Sequence, residues 1–467
     1  MTTRMRKIRI TALLIAAIML LAAFTSCAPA QPSANDPSTD APDTAAPDTE
    51  KPDTGDTGLP DVIGPSEADD NWAENMNANT VSTVKNTMRL DSFDSKFLSF
   101  ISERTDGNYM VSPLSFRYAL GLLLAGAEGE TRNELLKAFG VRTPEEWTRY
   151  CLDFNGFVNY FAEDFDLEVK EFRDQVKAGW ISPDSDEPFR ALRVANSVWK
   201  ADWIEADLKA DYCESVSADY AAEYRYFSPS NAVAKINEWA DTKTEHMIQK
   251  LLPEGYPTDS LAVVLMNALY FKDAWYHSFE PGLTREMDFH AKDGSNVKKE
   301  FMTDTDYFSY YEDGDTQLVI LPMKGGVYMA FVIGSTEDLS EKISSASYTR
   351  VRVTIPKMDL ETDFSDGQLV RFLADNGVSL AFEPDRADFS GMIDYPVYVS
   401  DIIQKTRIKL DEEGVEAAAV TAIMVNATGY MEPEEPREFT ADRPFSFYIY
   451  TTCNDTTAVM FAGEIVE

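Results

Sequence analysis

The stretch that most constrains this chain lies near its C-terminus, Asp411 to Phe445, reading DEEGVEAAAVTAIMVNATGYMEPEEPREFTADRPF. Its first half fits two kinds of structure. Glutamates ahead of alanines make a surface helix, because acids suit the positive end of the helix dipole and alanine is the best helix former. Against that, Gly414 falls inside the helix, and Val415, Val420, Thr421, Ile423 and Val425 are β-branched. Read with period two, Val415, Ala417, Ala419, Thr421, Ile423 and Val425 share one small or apolar side, as in a strand that buries one face. The neighbours of this run, from Asn426 through the Pro/Glu-rich tail, are loop-like. The same residues therefore suit an exposed loop and a central strand.

The chain opens on segments that are not fold. Arg4, Arg6, Lys7 and Arg9 form a basic head, and Ile10 to Phe24 an apolar run too short to span a bilayer comfortably. Thr25-Ser26 ends it with small residues, so residues 1–26 read as a secretory signal. Residues 27–83 follow as a tether rich in Pro, Asp and Thr, with Pro-Asp-Thr recurring at 42–44, 47–49 and 52–54. Such a composition buries no core and stays extended.

Residues 84–467 carry the apolar patterning of a globular body, long enough for one or two domains. Helices dominate its first third. Leu90, Phe93, Phe97, Leu98 and Ile101 recur at helical spacing. Ser112-Pro113 opens a helix with a cap residue and a proline in the first turn. Thr131 with Glu134, and Thr143 with Glu146, read as capping boxes, and Gly140 as a helix end. A later helix is expected through Val233, Ile236, Trp239, Met247 and Ile248. Strands are expected at 262–271, apolar enough to be buried on both faces, and at 317–323, 327–334, 350–356, 405–410, 445–450 and 457–466. The order implies an α+β fold.

Several short motifs resemble, in order, those of one family. They begin with Asn108, Ser112-Pro113-Leu114-Ser115 and Ala119-Leu120, then Gly126 to Thr131 and Ala195-Asn196-Ser197. Ile236-Asn237-Glu238-Trp239, Asn267 to Lys272 with Trp275 and Phe279, Pro356-Lys357 and Ala387 to Gly391 follow. The hinge Glu412-Glu413-Gly414-Val415-Glu416-Ala417-Ala418-Ala419 and then Phe439 to Phe445 complete the set. Singly these are weak; together and colinear they resemble the serpins. The resemblance implies eight to nine helices around three β-sheets, with residues 412–438 as an exposed reactive-centre loop.

It also implies a mechanism. A serine, or cysteine, protease cuts the loop and stays esterified to it, and the hinge enters the main sheet as an extra strand. Fifteen extended residues reach roughly 50 Å. The uncut form would be metastable, held by kinetics. Val415 is the first residue expected to enter, where the family prefers threonine or serine; a charged residue or proline there would mark a non-inhibitory relative. Counting along the hinge places the scissile bond at Thr428-Gly429, with Ala427 and Tyr430 as alternatives. Threonine before the cut suits elastase-like or subtilisin-like targets. Trypsin-like enzymes are disfavoured, since Arg437 is the only basic residue between Gly414 and Glu438. Ser112, Ser115 and Asn267 match the family's polar gate beneath the main sheet, with Gln404 in place of its histidine. Trp275 matches the tryptophan where the loop first inserts. Cys27 resembles a bacterial lipoprotein site, which implies a lipid anchor on the outer side of the membrane, with free secretion as the alternative.

Other classes fit less well. The three histidines, His246, His277 and His290, lack metal spacing, and no catalytic motif or cofactor fingerprint accompanies them, so neither an enzyme nor a bound cofactor or metal is expected. The net charge of −37 becomes −41 without the signal, which repels nucleic acid and sulfated polysaccharide alike. Cys151, Cys213 and Cys453 form no disulfide framework; buried thiols are expected, with a Cys151–Cys213 pair left open. The expected partner is a target protease, held covalently by a monomeric inhibitor. A non-inhibitory serpin acting as a surface binding or carrier protein is the alternative.

Overall fold

The computed structural model describes residues 88–185, 187–415, 435–453 and 456–467. The signal, the whole tether with Cys27, Glu416 to Ala419 and the candidate bond Thr428-Gly429 lie outside those residues. Asp91 caps the first helix, α1 (Ser92–Ser102), its carboxylate accepting from the backbone N–H groups of Phe93 and Asp94. After a short strand β1 (Tyr109–Val111), Ser112 caps α2 (Pro113–Gly126) as expected, its Oγ accepting from Ser115 N at 3.1 Å with proline in the first turn. α2 is apolar nearly all round and touches both sheets, which makes it the central helix.

Neither capping box forms. α3 (Gly129–Phe139) begins two residues before Thr131, whose buried hydroxyl instead accepts from Asp388 N at 3.0 Å. Glu134 is drawn away to accept from the backbone N–H groups of Ser379 and Leu380. Tertiary partners outbid the local ones. Gly140 does end α3, with φ 74°. α4 (Pro144–Lys177) starts after Thr143, yet Glu146 accepts from Arg142 N and Thr143 makes no side-chain cap. Only its first half packs, through Trp147, Cys151, Phe154, Phe157 and Phe161.

β2 (Ala191–Ala201), α5 (Ala210–Tyr220), β3 (Ala222–Phe227) and α6 (Ala232–Lys243) follow. Met247 and Ile248 lie beyond α6, contrary to the helical expectation. Glu245 and His246 adopt positive φ there, and Thr244 Oγ1 donates to Ala240 O while accepting from Ile248 N. Next come β4 (Val263–Ala274), β5 (Arg285–His290), β6 (Asn296–Asp313), β7 (Thr316–Pro322), β8 (Tyr328–Ile333), α7 (Leu339–Ser345), β9 (Ser347–Pro356), β10 (Met358–Phe364) and α8 (Gln368–Asp375). β11 (Gln404–Leu410), β12 (Gly414–Val415), β13 (Arg437–Thr440), β14 (Phe445–Cys453) and β15 (Thr456–Ile465) complete the order.

The strands form two hydrogen-bonded sheets. One runs β1-β15-β14-β8-β7-β6-β9-β13, with β5 also on β6; the other runs β10-β11-β12-β4-β2-β3. The three sheets expected from sequence appear as two ladders because the 18-residue β6 reaches β5 and β9 along most of its length and β7 at its end. α2 separates the two sheets, contacting β4 of one and β15 of the other. The three described cysteines are free thiols, Cys151 and Cys453 buried and Cys213 half-buried.

Candidate functional site

The site is built where the six-stranded sheet meets the stem of the loop. Gly414 and Val415 lie between β11 and β4: Val415 pairs with Leu410 on one side and Asp273 on the other, and Gly414 with Ala274. Trp275 N donates to Glu413 O and Phe279 N to Glu412 O, both at 2.8 Å, while the buried Trp275 indole donates to Asp411 O at 3.0 Å. Gly414 holds φ 148°, and a Cβ there would come within 2.7 Å of Ala274 Cα. Only glycine fits so close an approach. Val415 is 3% exposed.

Glu412 anchors this turn. Its Oε1 lies 2.8 Å from Lys357 Nζ and accepts from Thr284 Oγ1 at 2.6 Å. Burial pushes its carboxyl upward, but the Lys357 and Thr284 hydrogen bonds outweigh this and hold it below the usual glutamate range.

Below Val415 no ladder joins β4 directly to β11 among the described residues. A cavity of about 180 Å³ occupies this slot, lined by Leu265 and Asn267 of β4, Thr406 and Ile408 of β11, and Trp239 of α6, with α2 beneath. This explains a departure from the sequence expectation: Val263, Val264 and Leu265 are half-buried rather than buried on both faces, because they border the slot.

The four gate residues all line this cavity, but they form two groups. Gln404, 6% exposed, grips the start of α2 from β11: its amide nitrogen donates to Ser112 O at 2.9 Å and its Oε1 accepts from Ser112 N at 2.8 Å. Ser115 joins through its own N–H to Ser112 Oγ. Asn267 lies on β4 and donates to Asn196 Oδ1 at 2.7 Å, and Asn196 donates to Tyr220 O. Gln404 and Asn267 are thus on opposite sides of the slot, not bonded to each other.

Asp273 is a residue that sequence reasoning missed. It is fully buried, its two oxygens accepting from Ala274 N and Gly325 N at 2.9 Å each. The one available signal was an acid beside Lys272 in the otherwise apolar run Ala268 to Trp275. The histidines make no constellation: His246 meets Asp241, His290 meets Asn296, and His277 lies 3.7 Å from Asp306. The far stem of the loop is β13, paired in parallel with β9 of the other sheet.

An α+β body with a slotted six-stranded sheet, and a glycine-hinged stem seated at the top of the slot, is the arrangement in which the expected serpin fold is met. The family described as Serpin (serine protease inhibitor) matches residues 89–467, and the chain belongs to it. An uncharacterized serpin-like protein of Methanosarcina acetivorans is 27% identical over 82% of this chain and 87% of its own. The leukocyte elastase inhibitor of Equus caballus is 29% identical over 77% and 92%. The native-state crystal structure of the thermophilic serpin tengpin superposes with a TM-score of 0.62 at 25% identity, covering 82% of this chain and 96% of that one.

Proposed function

We propose that this serpin is an inhibitory one, a suicide substrate that traps a serine protease as its acyl-enzyme by drawing the cut loop into the slot between β4 and β11. The observation that carries the reading is Val415, uncharged and already seated between those strands directly above the cavity. Each further residue taken in would gain ladder hydrogen bonds, and alternate residues apolar contact with the slot. Ala417 to Ala419 offer little bulk to thread past the strands. No step requires catalysis, a metal or a cofactor from this chain; the protease supplies the chemistry and the serpin the change of shape.

In this reading Gln404 with Ser112 and Ser115 on one side, and Asn267 on the other, form the gate that parts, and Trp275 marks the point where the loop starts in. Thr428-Gly429 is the bond cut, which points to elastase-like or subtilisin-like targets. The N-terminal signal, the lipid on Cys27 and the tether would hold a monomeric inhibitor at the outer surface of the cell. Incubation with pancreatic elastase, subtilisin and chymotrypsin tests the proposal. An SDS-resistant complex is expected with one of the first two, and mass spectrometry of the released peptide locates the bond. Clean cleavage without a complex by all three would refute inhibition and favour a binding or carrier role.

A further inference from the structure

Asp273 stands directly across from Val415 in the β12–β4 register, and residues so paired present their side chains on one face. The carboxylate joins β4 to the turn between β7 and β8. Its Oδ1 closes on Ala274 N at the end of β4, and its Oδ2 accepts from Gly325 N in the turn between β7 and β8. That turn has no room to give: a Cβ on Gly325 would lie 2.9 Å from Asp273 Oδ2 and overlap the Phe161 ring of α4. The charged groups around the carboxylate come from two further sides. Arg190, leading into β2, is itself buried and is held by Asp164 and Glu168 of α4 at 2.7 and 2.8 Å. Lys324, in the β7–β8 turn, lies 3.7 Å from Glu168. The hinge strand brings no charge there, only Gly414 and Val415.

We propose that Asp273 is a positioning residue for loop insertion: it fixes the strand end that receives Val415, and with its carboxylate ionised the slot between β4 and β11 below Val415 widens more readily. This rests on the inhibitory reading, since insertion is the step it serves. The direction follows from linkage. Burial pushes the Asp273 carboxyl up to about 7, with Arg190 pulling the other way. Parting the strands admits water and returns the group toward the ordinary aspartate range. A group whose pKa is raised in the closed state stabilises that state below its ordinary value, and this is lost as pH rises through about 7. Opening therefore accelerates from pH 6 to 8, about tenfold for each pKa unit relieved.

Hydrogen exchange of the full chain decides it. Exchange in peptides covering 263–274 is followed at pH 6, 7 and 8 for the native protein, Asp273→Asn and Glu168→Gln. Taking the ratio of native to variant at each pH cancels the intrinsic pH dependence of exchange. The ratio of native to Asp273→Asn opening rates should rise about tenfold from pH 6 to 8, most of it below the midpoint near 7, because the open-state carboxyl titrates well below this range. Glu168→Gln should move the midpoint to lower pH, because Glu168 helps to raise the Asp273 carboxyl. A flat ratio for Asp273→Asn, or an unmoved midpoint for Glu168→Gln, overturns the proposal; if the first variant does not fold, the second decides alone. Heat resistance of loop-cut native protein, measured in parallel, reports on the inhibitory reading separately. A cut chain that gains none removes that reading while the exchange ratios stand.

Discussion

Gly414→Ala is the sharpest perturbation of the hinge, because the obstacle is backbone and cannot rotate away. The new methyl would meet Ala274 Cα at 2.7 Å, with Trp275 N at 3.0 Å, at a φ of 148° that alanine rarely adopts. The stem must leave its place between β11 and β4. That forfeits the Trp275 N to Glu413 O and Asp411 N to Gly414 O hydrogen bonds, each contributing about 1 kcal/mol net. It also uncovers Val415, whose burial contributes about 1.5 kcal/mol. The sum, roughly 3.5 kcal/mol, lowers the population of seated hinge about three-hundredfold at 1.4 kcal/mol per decade. Insertion then starts from an unseated stem, and hydrolysis of the acyl-enzyme overtakes it. The assay is the stoichiometry of inhibition against the protease that forms a complex with the native protein: the variant should be cut at the normal rate but consumed as substrate, with many molecules spent per enzyme trapped. Val415→Ala is the matched control, since it trims burial without a clash and should cost about 1 kcal/mol. Native stoichiometry and an unchanged melting temperature in Gly414→Ala would refute the close-approach argument.

Two further outcomes follow from buried polar groups. Gln404→His should make stability pH-dependent: a neutral imidazole can accept from Ser112 N, but a buried imidazolium cannot, so the folded-state pKa is depressed. Stability is then present above about 6.5 and lost as pH falls below it, which melting curves at pH 8 and 5.5 would reveal against a smaller change in the native protein. Arg117→Met strands Asp94, a fully buried carboxyl that burial already pushes up to about 6 despite the Arg117 guanidinium 2.9 Å away. Breaking such a pair costs about 3–5 kcal/mol. Because the folded pKa rises further, the loss should be largest at pH 8 and shrink toward pH 5, a sign that urea denaturation at both values checks.

Much of the fold could be read from sequence, for reasons that particular elements make plain. α2 announces itself through Ser112-Pro113 and an apolar run, and β14 and β15 through runs rich in β-branched and aromatic residues, so local preference and tertiary placement agree. β6 was not legible: it is eighteen residues, mostly Lys, Glu, Asp, Thr and Tyr, whose pairing with β5 and β9 supplies order that its own pattern does not. Thr131 and Glu134 spell a capping box, but partners some 250 residues away claim both side chains. In the site, the period-two pattern placed Val415 in a strand, and the family motif pointed to Gln404 and Ser112, which hydrogen-bond to each other. Asp273 stayed hidden because nothing in sequence places Gly325 and Arg190 beside it. The split between Gln404 and Asn267 was equally invisible, since it depends on which side of the slot each strand lies.

The two stems of the loop are anchored in different sheets, β12 in the six-stranded one and β13 beside β9 in the nine-stranded one. While the chain is whole, the segment between 415 and 437 has to connect these two anchorages. It cannot sink fully into the slot unless the four pairs of Arg437–Thr440 with Val351 to Thr354 are stripped away. One peptide bond thus keeps two hydrogen-bonded networks from relaxing independently. In the inhibitory reading, a protease that severs it would free the β12 side for insertion and leave β13 in place.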